Sequence, residues 1–220
     1  MATDQRKDTT TRHPRTAAGP RKPSGRPRAF DRDEALATAT RLFWENGYEA
    51  TSIGDLTRAM GIKPPSLYAA FGDKRKLFEE AVEAYGRSPY GVFMGQALAQ
   101  EPTARDAFAR ILREAAEIYT DPSHPRGCLT ICAATNVTPQ NAEVERYLRA
   151  LRNRNLGVFE ARLARAVEEG ELPGDADPAA LAGWFALVIQ GMSQRSRDGA
   201  DAAELHAAAD LALRAVWPRA

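Results

Sequence analysis

Four residues in this 220-residue chain combine ligand-type side chains with short spacing: Asp121, His124, Cys128 and Cys132. On a helix, cysteines four apart share one face, an arrangement that can hold a soft metal ion or pass between thiol and disulfide. A small buried thiol beside a tight turn gives the same Gly127-Cys128-Leu129 pattern, and packing is the simpler reading. A second chemistry is electrostatic. The formal net charge of the whole chain is only +1, yet residues 1–30 hold eight basic and two acidic residues, so the other 190 sum to −5. A basic arm on a mildly acidic body is a common footprint of a polyanion partner.

The elements that must position these groups are helical throughout. From Phe30 onward apolar residues recur at helical spacing. A first helix is predicted over roughly Asp31 to Asn46, capped by Asp31, stopped by Asn46-Gly47 and carrying Leu36, Ala39 and Phe43 inward. Thr51 or Ser52 caps a short second helix with Ile53, Leu56 and Met60 on its buried face, and Gly61 ends it. Lys63-Pro64-Pro65-Ser66 opens a third helix, where proline is tolerated because first-turn amides lack intrahelical acceptors. After Gly72, Asp73 caps a fourth, whose inward residues are Leu77, Phe78, Ala81, Val82 and Tyr85. Two short helices joined at Met60-Gly61-Ile62-Lys63 match the arrangement that lays a recognition helix in the DNA major groove. Spacing alone equally describes a three-helix bundle with no nucleic-acid role.

The detailed match decides between them. The run Ala50-Thr51-Ser52-Ile53-x-x-Leu56-x-x-x-Met60-Gly61-Ile62-x-x-x-Ser66-Leu67-Tyr68-x-x-Phe71-Gly72-Asp73-Lys74-x-x-Leu77 resembles the TetR family of bacterial transcriptional repressors, over about Phe30 to Tyr85. The resemblance implies an all-α chain: a basic arm over 1–29, a helix-turn-helix DNA-binding domain over 30–85, and a larger helical ligand-binding and dimerisation domain over 86–220. It implies double-stranded operator DNA as partner, bound as a homodimer with half-sites in successive major grooves. Thr51 or Ser52, at a helix N-terminus, can meet a phosphate with a hydroxyl and free backbone amides. Lys74 adds a positioning charge, and Tyr68 is implied as a phosphate contact, though its ring could also pack on first-helix aromatics. Base readout falls to the exposed face of the third helix, namely Lys63, Pro64, Pro65, Ser66, Ala69 and Ala70. Only Lys63 and Ser66 can hydrogen-bond there, so DNA shape carries more of the specificity, with Arg26 and Arg28 of the arm suited to a narrow minor groove.

Past Tyr85, Gly86-Arg87-Ser88-Pro89-Tyr90-Gly91 reads as a loosened connection. Helical segments follow: Thr103 to Tyr119, a short helix near Leu129 to Ala134, Pro139 to Glu169, one from Asp177-Pro178, and one from Asp201 to about Trp217. The last two are the least polar, and the resemblance implies that they pair with a partner's to form the dimer. It also implies a pocket for a small-molecule inducer, with Phe93, Met94, Phe108, Tyr119, Cys128, Trp184, Ile189 and Met192 as candidates. Few charges fall on these faces, which points to an apolar or aromatic ligand. The Arg126-Gly127-Cys128-Leu129 stretch resembles a subgroup of the family that includes a copper-responsive repressor. That implies an alternative, a metal- or redox-responsive regulator acting through Cys128 and Cys132.

Other classes find little support. No HExxH, nucleotide-binding glycine loop or nucleophile elbow occurs, and His13, His124 and His206 are isolated, so neither catalysis, a resident metal nor a cofactor is expected. The richest apolar run, Leu181 to Ile189, is half the length a membrane span needs. A polar basic N-terminus without an apolar centre predicts a cytoplasmic protein associated with the nucleoid.

Overall fold

A computed structural model describes residues 30–218, and among these there are ten α-helices and no strand. Arg26, Arg28 and the rest of the arm lie outside the described residues. Helix α1 (Arg32–Ala50) starts where the Asp31 carboxylate accepts the amides of Asp33 and Glu34. The predicted stop is real but local: Gly47 leaves the helix at φ 80°, ψ 171°, and a further turn carries the chain to Ala50. Tyr48, just past the break, sends its amide out of the helix to the Ala133 carbonyl, 2.7 Å away.

Helix α2 (Ile53–Met60) begins with a reciprocal cap, in which the Ser52 hydroxyl accepts from the Asp55 amide and the Asp55 carboxylate accepts from the Ser52 amide. Gly61 closes it in the left-handed region, φ 65° and ψ 28°. Helix α3 (Pro64–Phe71) has proline in its first turn, and α4 (Lys74–Arg87) is capped by Asp73. All five inward residues predicted for α4 are buried. Phe43 of α1 meets Phe78 of α4 edge-on at 5.0 Å, and Tyr48 meets the same ring at 5.1 Å. Leu56 and Leu67 complete this small core with no exposed surface. Removal of a buried ring of this kind costs about 3–5 kcal/mol in comparable cores.

The connection expected to be loose is not. Helix α4 runs to Arg87, Ser88 turns its hydroxyl back to the Tyr85 carbonyl, and α5 (Pro89–Gln100) starts at once with proline in its first turn. The remaining helices are α6 (Ala104–Thr120), α7 (Leu129–Cys132), α8 (Ala142–Glu168), α9 (Pro178–Arg197) and α10 (Ala202–Val216). Helix α6 lies at the centre, in contact with α5, α8, α9 and α10, and is lined with Ala107, Phe108, Ile111, Leu112, Ala115 and Tyr119. Phe108 stacks on Phe185 of α9 at 4.2 Å and meets Phe159 of α8 edge-on at 5.2 Å. The buried residues of both halves form one continuous cluster, so the helix-turn-helix part shares its core with the body behind it.

Further ties fix α1 to that body. The Trp44 indole donates to the Gly127 carbonyl at 3.1 Å, and Arg41 donates to the Ser123 carbonyl at 3.0 Å. From the last turn of α9, Arg197 donates to the carbonyls of Trp44 and Glu45, at 3.3 and 3.1 Å. The break at Gly47 leaves carbonyls near the end of α1 without ordinary helical partners, and a guanidinium fork suits them.

Candidate nucleic-acid interface

Helices α2 and α3, with the turn between them, present one polar edge. Lys63, Pro64, Pro65, Tyr68 and Ala69 are exposed, Ser66 and Ala70 half-buried, while Leu67 and Phe71 turn inward. Tyr68 keeps 48% of its surface open, so its ring is not spent on the α1 aromatics. Its neighbour on α3, Ala70, is held from behind. Arg32 donates to the Ala70 carbonyl at 3.3 Å, lies over the Phe71 ring at 4.5 Å and pairs with Glu80 of α4 at 2.7 Å. Sequence reasoning missed this brace, because Arg32 sits in an ordinary charged first turn and its partners are 38 and 48 residues away.

The two hydroxyls at the start of α2 separate. Thr51 is 1% exposed and donates to the Gly47 carbonyl at 2.7 Å, which removes it from the phosphate-facing candidates. The reason is the kink: the carbonyl freed at Gly47 takes the nearest donor. Ser52 stays exposed, and its hydroxyl lies 2.6 Å from the Asp55 carboxylate. Across the same edge, the Lys74 ammonium sits 4.2 Å from the centre of the Tyr48 ring. Partial burial there lowers its pKa from the usual lysine value, with Glu49 opposing the shift. Ser52, Lys63, Ser66, Tyr68 and Lys74 thus bring hydroxyls and cations to the edge that the first half of the chain leaves open.

The candidates for a small-molecule pocket divide three ways. Met94, Cys128 and Ile189 line one small, partly open cavity of about 40 Å³ between α5, α7, α8 and α9. Phe93, Phe108 and Tyr119 are buried in the core and do not line it, since packing on neighbouring rings uses their faces. Trp184 and Met192 face an outer groove of about 400 Å³ between α9 and α10, and Trp184 is 41% exposed. The small cavity is also less apolar than expected: Arg152, Asn155 and Gln190 line it, and Arg152 donates to the Thr130 carbonyl at 2.9 Å. A signal existed, because Arg152 falls on the helical stripe of Leu148, Leu156 and Phe159.

Cys128 and Cys132 are free thiols with separate partners. Cys128 is buried, with the Tyr85 hydroxyl at 3.5 Å and the Thr130 hydroxyl at 3.1 Å from its sulfur. Cys132 lies 3.3 Å from the Ser193 hydroxyl, and burial pushes its thiol pKa up, opposite to what a reactive thiolate needs. Among the described residues no group of three or more His, Cys, Asp or Glu could hold a metal ion. The metal- or redox-responsive alternative therefore gains nothing from the geometry. No helix among the described residues is long and apolar enough to cross a membrane.

A helix-turn-helix with an open polar edge, fused to a larger all-helical body, defines a DNA-binding regulatory protein. Residues 35–81 match the model for bacterial regulatory proteins of the tetR family, and residues 104–212 match that for a tetracyclin repressor-like C-terminal domain. The chain belongs to the TetR family and is a transcriptional regulator. It is 36% identical over 201 residues to the HTH-type transcriptional repressor ComR of Escherichia coli, covering 90% of this chain and 94% of that one. The HTH-type transcriptional repressor BdcR of the same species is 27% identical over 193 residues, covering 87% and 92%. Among solved structures, the TetR family regulator CifR, in a cysteine-substituted form complexed with 26-bp operator DNA, shares 42% identity at a TM-score of 0.83 over 87% of this chain and 100% of that one.

Proposed function

We propose that the protein is a repressor that binds a palindromic operator as a homodimer and is released by a small molecule. The observation that carries this reading is the exposed edge of α3, with Lys63, Pro64, Pro65 and Ala69 open and Ser66 beside them. Lys63 at a helix N-terminus can donate to guanine O6 or N7, and alanine can touch a thymine methyl. Ser52, Tyr68 and Lys74 flank that edge as phosphate contacts, which position without reading sequence. Arg26 and Arg28 of the arm add minor-groove contacts. The complex of CifR with operator DNA supports the same use of this chain.

Pairing through α9 and α10 is supported by Leu187 and Leu211, 67% and 63% exposed, and by Trp184 beside them. A two-fold dimer sets recognition helices about 34–36 Å apart, one helical turn of DNA. The inducer site is the small cavity around Met94, Cys128, Ile189 and Arg152. At about 40 Å³ it is too small for a metabolite, so an inducer must select an expanded state, which is the differential affinity that release requires. Arg152 in the wall favours a ligand with an acidic group on an apolar frame.

Fluorescence anisotropy with DNA from beside the protein's own gene, against a scrambled duplex, tests the reading. Sequence-selective and salt-dependent binding is expected. Equal affinity for both duplexes would defeat it.

A further inference from the structure

A wider, open cleft lies apart from the small cavity between α5, α7, α8 and α9. About 480 Å³ opens between the outer stripe of α1 and the loop that follows α6, and it shares no residue with the small cavity. Its floor is shallow because Ala37 and Thr38 are small, and its end wall is aromatic, made by Trp44, Tyr90 and His124. His124 stacks on Trp44 at 4.5 Å and 20° and touches the Tyr90 ring at 4.3 Å. The Trp44 indole nitrogen is already satisfied by the Gly127 carbonyl, so only ring surface is offered on that side.

One polar atom in this wall has no partner. The His124 side chain is 4% exposed, and its Nδ1 lies 2.9 Å from the Pro125 carbonyl. A carbonyl only accepts, so in the neutral ring Nδ1 carries the hydrogen and Nε2 is left as an acceptor. Nε2 is buried and unpaired. Asp121 comes no nearer than 4.0 Å, and its carboxylate already accepts the Ser123 amide at 2.8 Å. A buried acceptor without a donor costs free energy, and a ligand that supplies the donor recovers it.

We infer that this junction cleft binds a flat aromatic molecule bearing a hydroxyl or amino donor, of the phenol or aryl amine class, which lies against the Trp44–Tyr90 wall and, as the imidazole tips to uncover it, donates to His124 Nε2. The volume falls within the range of small-molecule sites, and aromatic walls with few polar groups are their usual lining. Such a ligand touches α1 and the α6–α7 loop together, across the gap that Arg41 bridges to the Ser123 carbonyl. It therefore reports on, or adjusts, the seating of the DNA-binding helices on the body, from a place separate from the proposed inducer cavity.

Isothermal titration of the full-length chain with 2-naphthol, and with 2-methoxynaphthalene as the donor-free control, tests this without DNA, so the result stands whatever the operator experiment gives. We expect one 2-naphthol per chain and at least fivefold weaker binding of the methoxy compound. Ala37 is exposed, so Ala37→Trp fills the cavity without loading the core. That variant should melt like the parent and lose at least tenfold in naphthol affinity. His124→Phe keeps a ring and should erase the preference between the two compounds. The inference is overturned if 2-naphthol does not bind, if the two compounds bind equally to the parent chain, or if binding survives Ala37→Trp. Loss on Ile189→Trp with retention in Ala37→Trp would overturn it too, by placing the molecule in the small cavity.

Discussion

The ammonium of Lys74, at the start of α4, stands 4.2 Å above the centre of the Tyr48 ring at the end of α1. Stacking on the ring fixes a long flexible side chain at one place on the proposed DNA-binding edge, with part of its hydration already removed. A phosphate contact made from there loses little side-chain entropy.

Lys74→Ala should accordingly weaken operator binding similarly for all sequences and reduce the slope of log K against log salt by about 1 per protomer. Lys63→Ala, on α3, should instead relax preference at one base position, costing about 1–3 kcal/mol against the cognate site only. Anisotropy titrations across a salt series with single-base operator variants separate the two. A uniform effect from Lys63→Ala would remove it from the reading face.

The cap of α2 gives a pH dependence with a definite sign. The Ser52 hydroxyl and amide, then Arg58, hold the Asp55 carboxyl below the ordinary aspartate range. A carboxyl whose folded pKa is depressed contributes stability that is present above its unfolded value near 4 and is lost as pH falls through the folded one. The difference in melting temperature between the parent and Asp55→Asn should thus be visible at pH 7 and shrink towards pH 3. Ser52→Ala should cost about 1 kcal/mol at neutral pH by urea unfolding. An unchanged midpoint would mean that the exposed cap contributes nothing.

Gly47→Ala probes the break in α1. At φ 80° a side chain is strained, and an added Cβ would lie 3.1 Å from the Ala133 carbonyl oxygen. A loss of about 1–3 kcal/mol is expected in equilibrium unfolding. Because the same carbonyl oxygen accepts the Tyr48 amide, the variant should also loosen α1 from α7, seen as faster amide exchange at Tyr48.

Leu187→Glu combined with Leu211→Glu should give a folded monomer by sedimentation velocity and lower operator affinity by at least tenfold. Both side chains are more than 60% exposed, so the substitutions leave the core of the protomer intact. A double variant that still sediments as a dimer would move the interface elsewhere.

The helix-turn-helix was readable because its signals are local. Asp31, Ser52, Gly61 and Asp73 each act within three or four residues, and the structure uses every one of them as a cap or stop. What escaped depends on distant partners. Thr51 and Ser52 are adjacent and chemically alike, and only the carbonyl freed at Gly47 decides which turns inward. Trp184 sits among apolar neighbours on α9, and nothing in its spacing says that its face meets α10 and solvent instead of the small cavity. Arg152 was legible by position, on the stripe of Leu148, Leu156 and Phe159, but its charge reads as a solvated face until packing brings it to the cavity wall. The apparent linker at Gly86 to Gly91 failed as a linker because two helices can be stacked end to end when Ser88 closes one and Pro89 opens the next.

The broken end of α1 has a consequence for how the molecule is made. The carbonyls of Trp44 and Glu45 are satisfied by a side chain at position 197, and the Tyr48 amide by a carbonyl at position 133. A growing polypeptide that has emerged only as far as α6 holds every residue of the reading edge, yet has neither of those partners. The partners of that broken end are complete only once α9 has been made. The seating of α1 is thus written into residues far downstream of the helices it carries.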